Sequence, residues 1–251
     1  NNPQNHYVQP QQPPAEELVG CLGHGKFGSV WVVKKTANDF VARKKLSLAA
    51  LLALNGVNGL KMEVRASMSV SGHPSFPKFH AFLVDQANAF MDYEVVTGSN
   101  LKDFIFKFCP LSNTLIRHFG AQILNAIEYL GAKGLIHCDL NPGNIMLTSE
   151  GRIKVIDFGM TIGIGGSHNI EKNGGLGVVA PEVHDGPLTP KADIWSWGML
   201  MFVMASDGKY PFRPEDKQNI SMLWPLIQRR PDLMIVIEMA LRRNVAQRAD
   251  V

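Results

Sequence analysis

The order of strand-forming and helix-forming segments constrains the fold of this chain most strongly. Residues 18–46 are rich in β-forming residues, which run on either side of a predicted turn at Asn38–Asp39, and residues 80–96 return to strands with a hairpin turn near Asn88. From residue 98 onward the pattern changes, and Asn113 to Leu130 carries apolar residues at helical spacing. This segregation predicts an α+β protein with two lobes, a small β-rich one and a larger helical one.

Composition and pattern predict three segments. Residues 1–16 are rich in Pro, Gln and Asn and bury too little apolar surface to fold, so we expect a flexible lead-in. Residues 17–96 form the predicted first lobe and residues 97–251 the second. Within the first lobe, residues 46–70 favour helix, with predicted breaks at Asn55–Gly56 and Asn58–Gly59.

Charge and cysteine usage exclude several classes of protein. The net charge is +3, and the one tight basic cluster, residues 34–45, falls on predicted strands, so it indicates a solvated sheet face with one functional lysine and no nucleic-acid site. Three cysteines without a CxxC spacing indicate reduced thiols in an intracellular protein, in the cytoplasm or nucleus. The most apolar stretch, Ile194 to Ala205, is too short to cross a bilayer, and no secretory leader opens the chain, so we expect no membrane partner. The chain does not begin with Met, so we expect a fragment, and its oligomeric state stays open.

The first chemical motif is a glycine-rich run from Leu22 to Val30, with Gly23, Gly25 and Gly28. Glycines allow backbone N–H groups to close over phosphates without obstruction by a Cβ. Gly-rich hairpins are also common as purely structural turns. A dinucleotide-binding fold would need a helix directly after the glycines, whereas a β-run follows here, which favours a strand–turn–strand flap.

The second motif is Val41-Ala-Arg-Lys44, on a strand behind that flap. Lys44 could reach the phosphates of a nucleotide, or it could be an ordinary exposed strand lysine. Glu63, on the helical segment that follows, could pair with Lys44, and a buried Lys–Glu pair is costly unless it serves a function.

The third motif is His137-Cys-Asp-Leu-Asn-Pro-Gly-Asn144, followed at a predicted strand end by Asp157-Phe-Gly159. Asp139 supplies a base, Asn144 an amide metal ligand and Asp157 a carboxylate metal ligand. Phosphoryl transfer needs a cation to bridge phosphates, a lysine to orient them and an acceptor for the hydroxyl proton. Acidic turns of purely structural use do not explain three such signals in this order.

The ordered set of motifs resembles the eukaryotic-type protein kinase superfamily and identifies a divergent Ser/Thr-like catalytic domain. Besides the three motifs, the chain has Ala180-Pro-Glu182 and Asp193-Ile-Trp-Ser-Trp-Gly198, and Arg248 stands where the family has a late arginine. The resemblance covers Glu17 to Val251 and implies the bilobal kinase fold, binding of ATP with Mg²⁺ (Mn²⁺ is also compatible), and transfer of phosphate to Ser/Thr hydroxyls of protein substrates.

The resemblance also implies roles for single residues. Lys44, held by Glu63, would contact the α- and β-phosphates, Asp157 and Asn144 would bind the metal, and Asp139 would accept the proton of the substrate hydroxyl. The glycines of the loop would cover the phosphates, and the rest of the nucleotide would be held by Val30, Ala42, Met146, Tyr93, the backbone of Glu94 and Val96, and Asn100 at the ribose. Support is expected from a Glu182–Arg248 bridge and from Asp193 binding backbone amides of the catalytic loop, with His137 and Phe158 as packing residues.

Three positions depart from the family's pattern. Cys138 replaces the arginine that binds a phosphate on the activation segment, so we expect residues 160–179 to be held by packing and not by phosphorylation. Asn141 replaces the lysine two residues after the catalytic Asp, and Gly175 replaces the threonine that this lysine contacts. These departures keep two alternatives open: a pseudokinase that binds nucleotide or partners with little catalysis, and a small-molecule kinase, whose catalytic loop is similar.

Overall fold

The computed structural model describes residues 17–25, 28–54, 56–167, 179–184, 186–210, 225 and 227–250. These residues belong to two compact units, of which the first takes the chain up to Val64 together with Lys78–Val95 and the second takes Arg65–Pro77 and Val96–Val251. Each unit is described by itself. The predicted lead-in, residues 1–16, lies outside the described residues.

The first unit is built on a five-stranded antiparallel sheet with the strand order β1-β2-β3-β5-β4. Its strands are β1 (Glu17–Gly25), β2 (Gly28–Thr36), β3 (Asp39–Ser47), β4 (Phe79–Val84) and β5 (Asn88–Glu94). The predicted strand regions are confirmed, because β2 and β3 meet at the turn predicted around Asn38 and β5 begins at Asn88.

One face of this sheet packs on two helices, α1 (Leu48–Ala53) and α2 (Val57–Val70). The core between them contains Leu46, Leu51, Leu60, Ala89 and Met91. The Ser47 hydroxyl caps α1 by accepting the Ala50 N–H at 3.3 Å, which ends β3 and begins the helix.

The predicted helix break at Asn58–Gly59 is wrong, because both residues lie in the first turn of α2. A glycine costs a helix roughly 1 kcal/mol relative to alanine, and burial of a leucine side chain such as Leu60 contributes about 1.5–3 kcal/mol. The tertiary contact therefore outweighs the local preference. Of the other predicted break, Gly56 lies between α1 and α2, and Asn55 lies outside the described residues.

The opposite face of the sheet contains a buried ionic cluster. Arg43 donates from Nε to Asp92 Oδ1 at 2.6 Å and from Nη2 to Oδ2 at 2.8 Å, and Lys35 Nζ lies 2.7 Å from the same Oδ2. Asp92 is fully buried and Arg43 is 6% exposed. The prediction that the basic cluster of residues 34–45 forms a solvated face is therefore wrong for Arg43, whose charge is matched by a carboxylate on the neighbouring strand.

The second unit is mainly helical, in agreement with the predicted α+β class. Its helices are α3 (Leu101–Phe108), α4 (Asn113–Ala132), α5 (Lys191–Ala205) and α6 (Pro231–Ala240). Two small sheets join them, with strand orders β6-β8-β9 and β7-β10, from the strands Gly98–Asn100 (β6), Leu135–Ile136 (β7), Ile145–Thr148 (β8), Ile153–Val155 (β9) and Ile162–Gly163 (β10). The helix predicted at Asn113 to Leu130 is confirmed and continues for two residues.

Helix α5 is the core of the second unit, because nearly all of its side chains are buried and both α4 and α6 pack on it. Glycines allow these close approaches: a Cβ on Gly198 would lie 2.8 Å from the Ala240 Cβ, and one on Gly120 would lie 2.4 Å from the Met201 Sδ. The first turn of α5 carries Asp193, whose position is thus fixed by the core. Among the described helices, none combines the length and apolarity that a membrane crossing requires.

Candidate active site

In the first unit, Lys44 and Glu63 form an ion pair with 2.6 Å between Nζ and Oε1. The Lys44 side chain is 19% exposed and that of Glu63 is 5% exposed, so Glu63 has lost most of its hydration. Burial of this kind is costly unless the partner charge is held in good geometry, which β3 and α2 provide. The interpretation of Lys44 as an ordinary exposed strand lysine does not account for this contact.

The predicted adenine residues of the first unit share a sheet face with Lys44. Val30 lies opposite Lys44 in the β2–β3 ladder, and Ala42 lies opposite Tyr93 in the β3–β5 ladder. Directly opposed residues point to the same face, and Ala42 and Lys44 are two residues apart on one strand. One face of the sheet therefore carries an ammonium group beside a small apolar surface.

The glycine-rich run forms the end of the β1–β2 hairpin, where Gly25 lies opposite Gly28 and Gly23 lies opposite Val30. A Cβ on Gly28 would lie 1.7 Å from the Lys45 carbonyl oxygen, so the close approach of β3 requires glycine there. Apart from its chain neighbours, no atom of the described residues lies within 4 Å of a Cβ placed on Gly23, and one placed on Gly25 would lie 4.0 Å from the Gly28 carbonyl oxygen. Packing among the described residues thus explains Gly28 and does not explain Gly23 or Gly25. The tip residues 26 and 27 lie outside the described residues.

Tyr93 and Glu94 end β5. The Tyr93 ring packs edge-on against Phe79 at 5.3 Å, and its hydroxyl lies 3.5 Å from the Met91 sulfur. The Glu94 backbone N–H donates to the Lys78 carbonyl at 2.8 Å, and the Glu94 carboxylate accepts the Lys78 N–H at 2.9 Å. The predicted contact of the Glu94 backbone with adenine stays a prediction.

Three further predicted nucleotide residues lie in the second unit. Asn100 and Met146 are opposed in the β6–β8 ladder, and Val96 lies shortly before β6. Asn100 caps α3, since its Oδ1 accepts the Asp103 N–H at 2.8 Å and its Nδ2 donates to Asp103 Oδ2 at 2.9 Å. Its predicted contact with a ribose stays a prediction, and the cap alone is sufficient to explain an asparagine there.

The catalytic-loop motif follows β7 and is anchored by Asp193. The two carboxylate oxygens of Asp193 accept the His137 N–H at 2.7 Å and the Cys138 N–H at 2.9 Å. Burial raises the pKa of Asp193 to about 6, although both amide donors act to lower it. The predicted support of the loop by Asp193 is confirmed. Cys138 has a φ of 63°, a strained value for a residue with a Cβ, directly before Asp139.

The carboxylate of Asp139 is held by two side-chain amides. Asn141 Nδ2 donates to Oδ1 at 3.1 Å, and Asn144 Nδ2 donates to Oδ2 at 2.8 Å. Burial raises the pKa of Asp139, the two amide donors act to lower it, and the negative charge of Asp157 adds to the rise. Each carboxylate oxygen can accept a second hydrogen bond, so Asp139 is oriented but still able to accept a proton.

Asn144 and Asp157 are brought next to each other by a backbone contact, because the Ile156 N–H donates to the Asn144 carbonyl at 2.9 Å. Asp157 has a φ of 64°, and its Oδ1 accepts the Gly159 N–H at 3.2 Å. Asp139, Asn144 and Asp157, the predicted base and metal ligands, thus lie together within the second unit.

The donor set of this group fits a magnesium ion. Mg²⁺ prefers oxygen ligands and in phosphoryl-transfer sites takes one or two from the protein, the rest coming from water and phosphates. The Asn144 Nδ2 is directed at Asp139, and within the described part of the chain no group donates to its Oδ1. Asn144 Oδ1 and the Asp157 carboxylate are therefore the oxygens that could hold Mg²⁺.

His137 is a packing residue and not an acid–base group, as predicted. It is fully buried, its ring lies 5.5 Å from that of Phe158, and burial lowers its pKa to about 4 while Asp157 and the Ile156 carbonyl act in the opposite direction. Its Nε2 lies 3.3 Å from the Ile156 carbonyl oxygen, and its Nδ1 accepts the Asp139 N–H at 3.3 Å. The neutral His137 ring thus contacts both the backbone of Asp139 and the residue that precedes Asp157.

The remaining expectations concern the Glu182–Arg248 bridge, Cys138 and the activation segment. The predicted Glu182–Arg248 bridge is confirmed, with Nη1 on Oε1 and Nη2 2.9 Å from Oε2, and the guanidinium group lies 5.1 Å from the Trp195 ring centre. Burial raises the pKa of Cys138, followed in effect by the charges of Asp193 and Asp139, so its thiol is protonated. Gly175 and residues 168–178 lie outside the described residues, so the expected state of the activation segment stays a prediction.

Sequence reasoning missed two contacts: the Arg43–Asp92 pair beside Lys44, and the link from Asn141 to Asp139. An aspartate inside the otherwise apolar run Ala89–Tyr93 is the signal for the first. The sequence carries no signal for the second contact, because it shows only that the family's usual lysine is absent at Asn141.

Comparisons with known proteins show the family of the chain. The family model described as "Protein kinase domain" matches residues 17–245. CBL-interacting protein kinase 9 of Oryza sativa subsp. japonica is 32% identical over 224 residues, which are 84% of this chain and 47% of that protein. CBL-interacting serine/threonine-protein kinase 8 of Arabidopsis thaliana is 30% identical over 218 residues, 85% of this chain and 48% of that protein.

Ribosomal protein S6 kinase alpha-3 of Homo sapiens is 31% identical over 252 residues, 94% of this chain and 33% of that protein. The chain thus spans less than half the length of these relatives. Because the family model matches nearly the whole chain, the chain belongs to the protein kinase domain family.

Proposed function

We propose that this chain is an active protein kinase, which transfers the γ-phosphate of ATP to Ser or Thr hydroxyls of protein substrates in a Mg²⁺-dependent reaction. The observation that carries the proposal is the group of Asp139, Asn144 and Asp157 in the second unit, joined through the 2.9 Å bond between the Ile156 N–H and the Asn144 carbonyl. The names of relatives such as the serine/threonine-protein kinase of Arabidopsis thaliana support the choice of acceptor.

Asp139 would accept the proton of the substrate hydroxyl. Burial raises its pKa, which makes it a stronger base than an exposed aspartate, and two amides fix the direction of its lone pairs. Positioning contributes much of the rate in phosphoryl transfer, because the protein does little covalent chemistry. The two hydrogen bonds on Asp139 therefore bear directly on the proposed step.

Lys44 would contact the α- and β-phosphates, and Glu63 would keep its ammonium group in place through the 2.6 Å ion pair. Backbone N–H groups at Gly23, Gly25 and Gly28 would cover the phosphates. Mg²⁺ held by Asn144 and Asp157 would neutralise charge on the phosphates, and Mn²⁺ has the same preference for oxygen ligands. The adenosine would be held by Val30, Ala42, Met146, Tyr93, Glu94, Val96 and Asn100.

We further propose that residues 17–96 and 97–251 act as the ATP-binding and the catalytic lobe, in an intracellular setting. The three cysteines are free thiols, as expected of a protein in a reducing compartment. The substrates, pathways and partners of the full-length relatives are not carried over to this chain.

The test is transfer of labelled γ-phosphate to a peptide array with Mg²⁺ and Mn²⁺ in parallel. Asp139→Asn and Asp157→Ala should abolish transfer to Ser/Thr peptides, and Lys44→Met should reduce it at least about 100-fold by misplacing the phosphates. Asp39→Asn, at an exposed aspartate that begins β3, is the matched control and should retain activity. Thermal unfolding of each variant shows that the fold is kept.

Equal transfer by the wild type and Asp139→Asn would refute the proposal. Nucleotide binding without transfer would favour a pseudokinase, in which the departures at Cys138 and Asn141 have removed catalysis. Transfer to metabolites and not to any peptide would favour a small-molecule kinase.

A further inference from the structure

We propose that Asn141 is a positioning residue for the catalytic base: its side-chain amide couples the Asp139 carboxylate to the 3₁₀ turn that carries Asn144. This inference rests on the proposed function, in which Asp139 is the base. It assigns a role to a position where the family's usual lysine is absent.

The two ends of the Asn141 amide have separate partners. Nδ2 donates to Asp139 Oδ1 and to the Asp139 carbonyl, both at 3.1 Å. Oδ1 accepts the Gly143 N–H at 2.9 Å and thereby caps the turn Pro142–Asn144. A single planar group therefore sets the distance between the base and the start of the turn.

The same turn returns a second amide to the base. The Asn144 N–H donates to the Asn141 carbonyl at 3.0 Å, and Asn144 Nδ2 donates to Asp139 Oδ2 at 2.8 Å. The base, the cap and the predicted metal ligand thus form a closed ring of hydrogen bonds. A change at Asn141 acts on both Asp139 and Asn144.

Gly143 gives an independent sign that the space around the Asn141 amide is tight. A Cβ on Gly143 would lie 3.1 Å from Asn141 Oδ1, closer than ordinary van der Waals contact. The Asn141 side chain therefore packs against the turn. A side chain at position 143 would clash with Asn141 Oδ1, the atom that accepts the Gly143 N–H.

A lysine at position 141 could not reproduce this arrangement, because an ammonium group has three donors and no acceptor. It could approach the Asp139 carboxylate but could not accept the Gly143 N–H. Asparagine provides both the donor to Asp139 and the acceptor for the Gly143 N–H, but it carries no positive charge. Asn141 is therefore a substitute with its own contacts and not only a missing lysine.

The inference has a measurable consequence for geometry. Loss of the Asn141 donor removes one of the two amides that orient the Asp139 carboxylate, so the carboxylate can turn about the remaining contact of Oδ2 with Asn144. Loss of the Asn141 acceptor removes the contact with the Gly143 N–H and loosens the start of the turn that carries Asn144. The backbone of Asp139 keeps the contact of its N–H with His137 Nδ1.

The experiment uses three variants in the whole chain. Asn141→Ser keeps a cap acceptor for the turn but is too short to donate to the carboxylate. Asn141→Asp keeps the acceptor geometry and replaces the donor by a negative charge. Asn141→Lys restores the family's residue without the cap acceptor.

The first readout is kcat and KM for phosphate transfer, measured at one pH. In Asn141→Ser, kcat should fall about 3–10-fold, the equivalent of one ordinary hydrogen bond, while KM for ATP and for the peptide stays within about twofold. In Asn141→Asp, kcat should fall further, because a negative charge replaces the donor beside the base. In Asn141→Lys, which keeps a donor but loses the acceptor, kcat should be higher than in Asn141→Ser, while thermal stability falls through loss of the cap.

The second readout does not need activity. Nitrogen-15 NMR of the Asn144 side-chain amide, assigned with Asn144→Ser, reports its contact with Asp139 in the wild type and in Asn141→Ser. The proposal expects the signal of this amide to move in the variant, because the ring of hydrogen bonds through Asp139 is opened. An unchanged Asn144 signal and an unchanged kcat, with only a lower melting temperature, would mean that Asn141 has a purely structural role, and this would overturn the proposal.

The two readouts separate this inference from the proposed function. If the wild type transfers no phosphate but the Asn144 side-chain signal moves as expected, the kinase activity fails while the coupling stands. If the wild type is active but neither kcat nor the Asn144 signal changes in Asn141→Ser, the coupling fails while the proposed function stands.

Discussion

Replacing His137 by phenylalanine should change how the stability of the protein depends on pH. His137 is a fully buried residue of the catalytic-loop motif that packs against Phe158, and burial lowers its pKa from 6.5 to about 4. The folded protein therefore binds fewer protons at His137 than the unfolded chain between these two values. The stability that depends on a neutral His137 is fully present above pH 6.5 and is lost as the pH falls toward 4.

The magnitude follows from the difference between the two pKa values. One pKa unit corresponds to about 1.4 kcal/mol, so a shift of roughly two and a half units makes His137 responsible for a loss of ~3 kcal/mol across the whole window. Between pH 7 and pH 5, a range in which the fold should persist, the loss is about 2 kcal/mol. This is a large fraction of the stability of an ordinary domain.

Asp193 opposes this trend in the wild type. Burial raises its pKa to about 6, so the folded state binds the extra proton and the protein gains stability as the pH falls from 6 toward 4. The two effects nearly cancel, and the wild-type curve alone does not show either of them. His137→Phe removes the histidine term and retains the Asp193 term.

The assay is denaturant unfolding of the wild type and His137→Phe at half-unit steps from pH 5 to pH 8. The variant also loses the contacts of Nε2 with the Ile156 carbonyl and of Nδ1 with the Asp139 N–H, which lowers its stability by a similar amount at every pH. On top of this offset, the stability difference between wild type and variant should shrink by about 2 kcal/mol from pH 7 to pH 5.

His80→Phe is the matched control, because His80 is an exposed histidine on β4 and its replacement removes the same chemical group. This control shows how much of a change in stability follows from replacing an exposed histidine by phenylalanine. Parallel curves for the wild type and His137→Phe would refute the assignment of His137 as a buried neutral residue.

The remaining predictions concern the first unit. Glu63→Gln should lower kcat for phosphate transfer about 10–100-fold in steady-state assays, because it weakens the 2.6 Å contact that positions Lys44; full activity would show that Lys44 is held by other groups. Gly28→Ala should destabilise the protein by about 1–3 kcal/mol in denaturant unfolding, since its Cβ would lie 1.7 Å from the Lys45 carbonyl oxygen and the strands must separate. Asp92→Leu should cost ~3–5 kcal/mol by leaving Arg43 buried without its carboxylate, and the double change with Arg43→Met should recover most of that loss; equal loss in both would show that packing, not charge, is responsible.

The sequence predicted the elements that depend on local pattern. Helix α4 has apolar residues at a period that only a helix brings to one face, and the structure has this helix two residues longer than predicted. The strands around Asn38 and Asn88 were predicted from β-formers beside turn residues, and both turns are present. The exception, at Asn58–Gly59, was a prediction from local preference at a place where packing on the sheet decides.

The proposed catalytic residues could be named for a different reason. The chemistry proposed for them requires particular side chains in a fixed order along the chain, so Lys44, Asp139 and Asp157 can be picked out without any structure. That order does not reveal how each group is held. The Asp193 contacts with the His137 and Cys138 amides join residues more than fifty positions apart, and they followed only from resemblance to the family.

Contacts between polar side chains are the part that sequence patterns supply least, and the two cases here share one physical cause. A charged or amide side chain is usually exposed, so a pattern assigns Arg43 to solvent and treats Asn141 as a lost lysine. In the folded chain Arg43 is buried against Asp92, and the half-buried Asn141 donates to Asp139. A polar group with such a partner can leave the solvent. At Asn141 the chain departs from the family's pattern and has made its own contact, and a departure next to the proposed base is better evidence of altered positioning than of lost function.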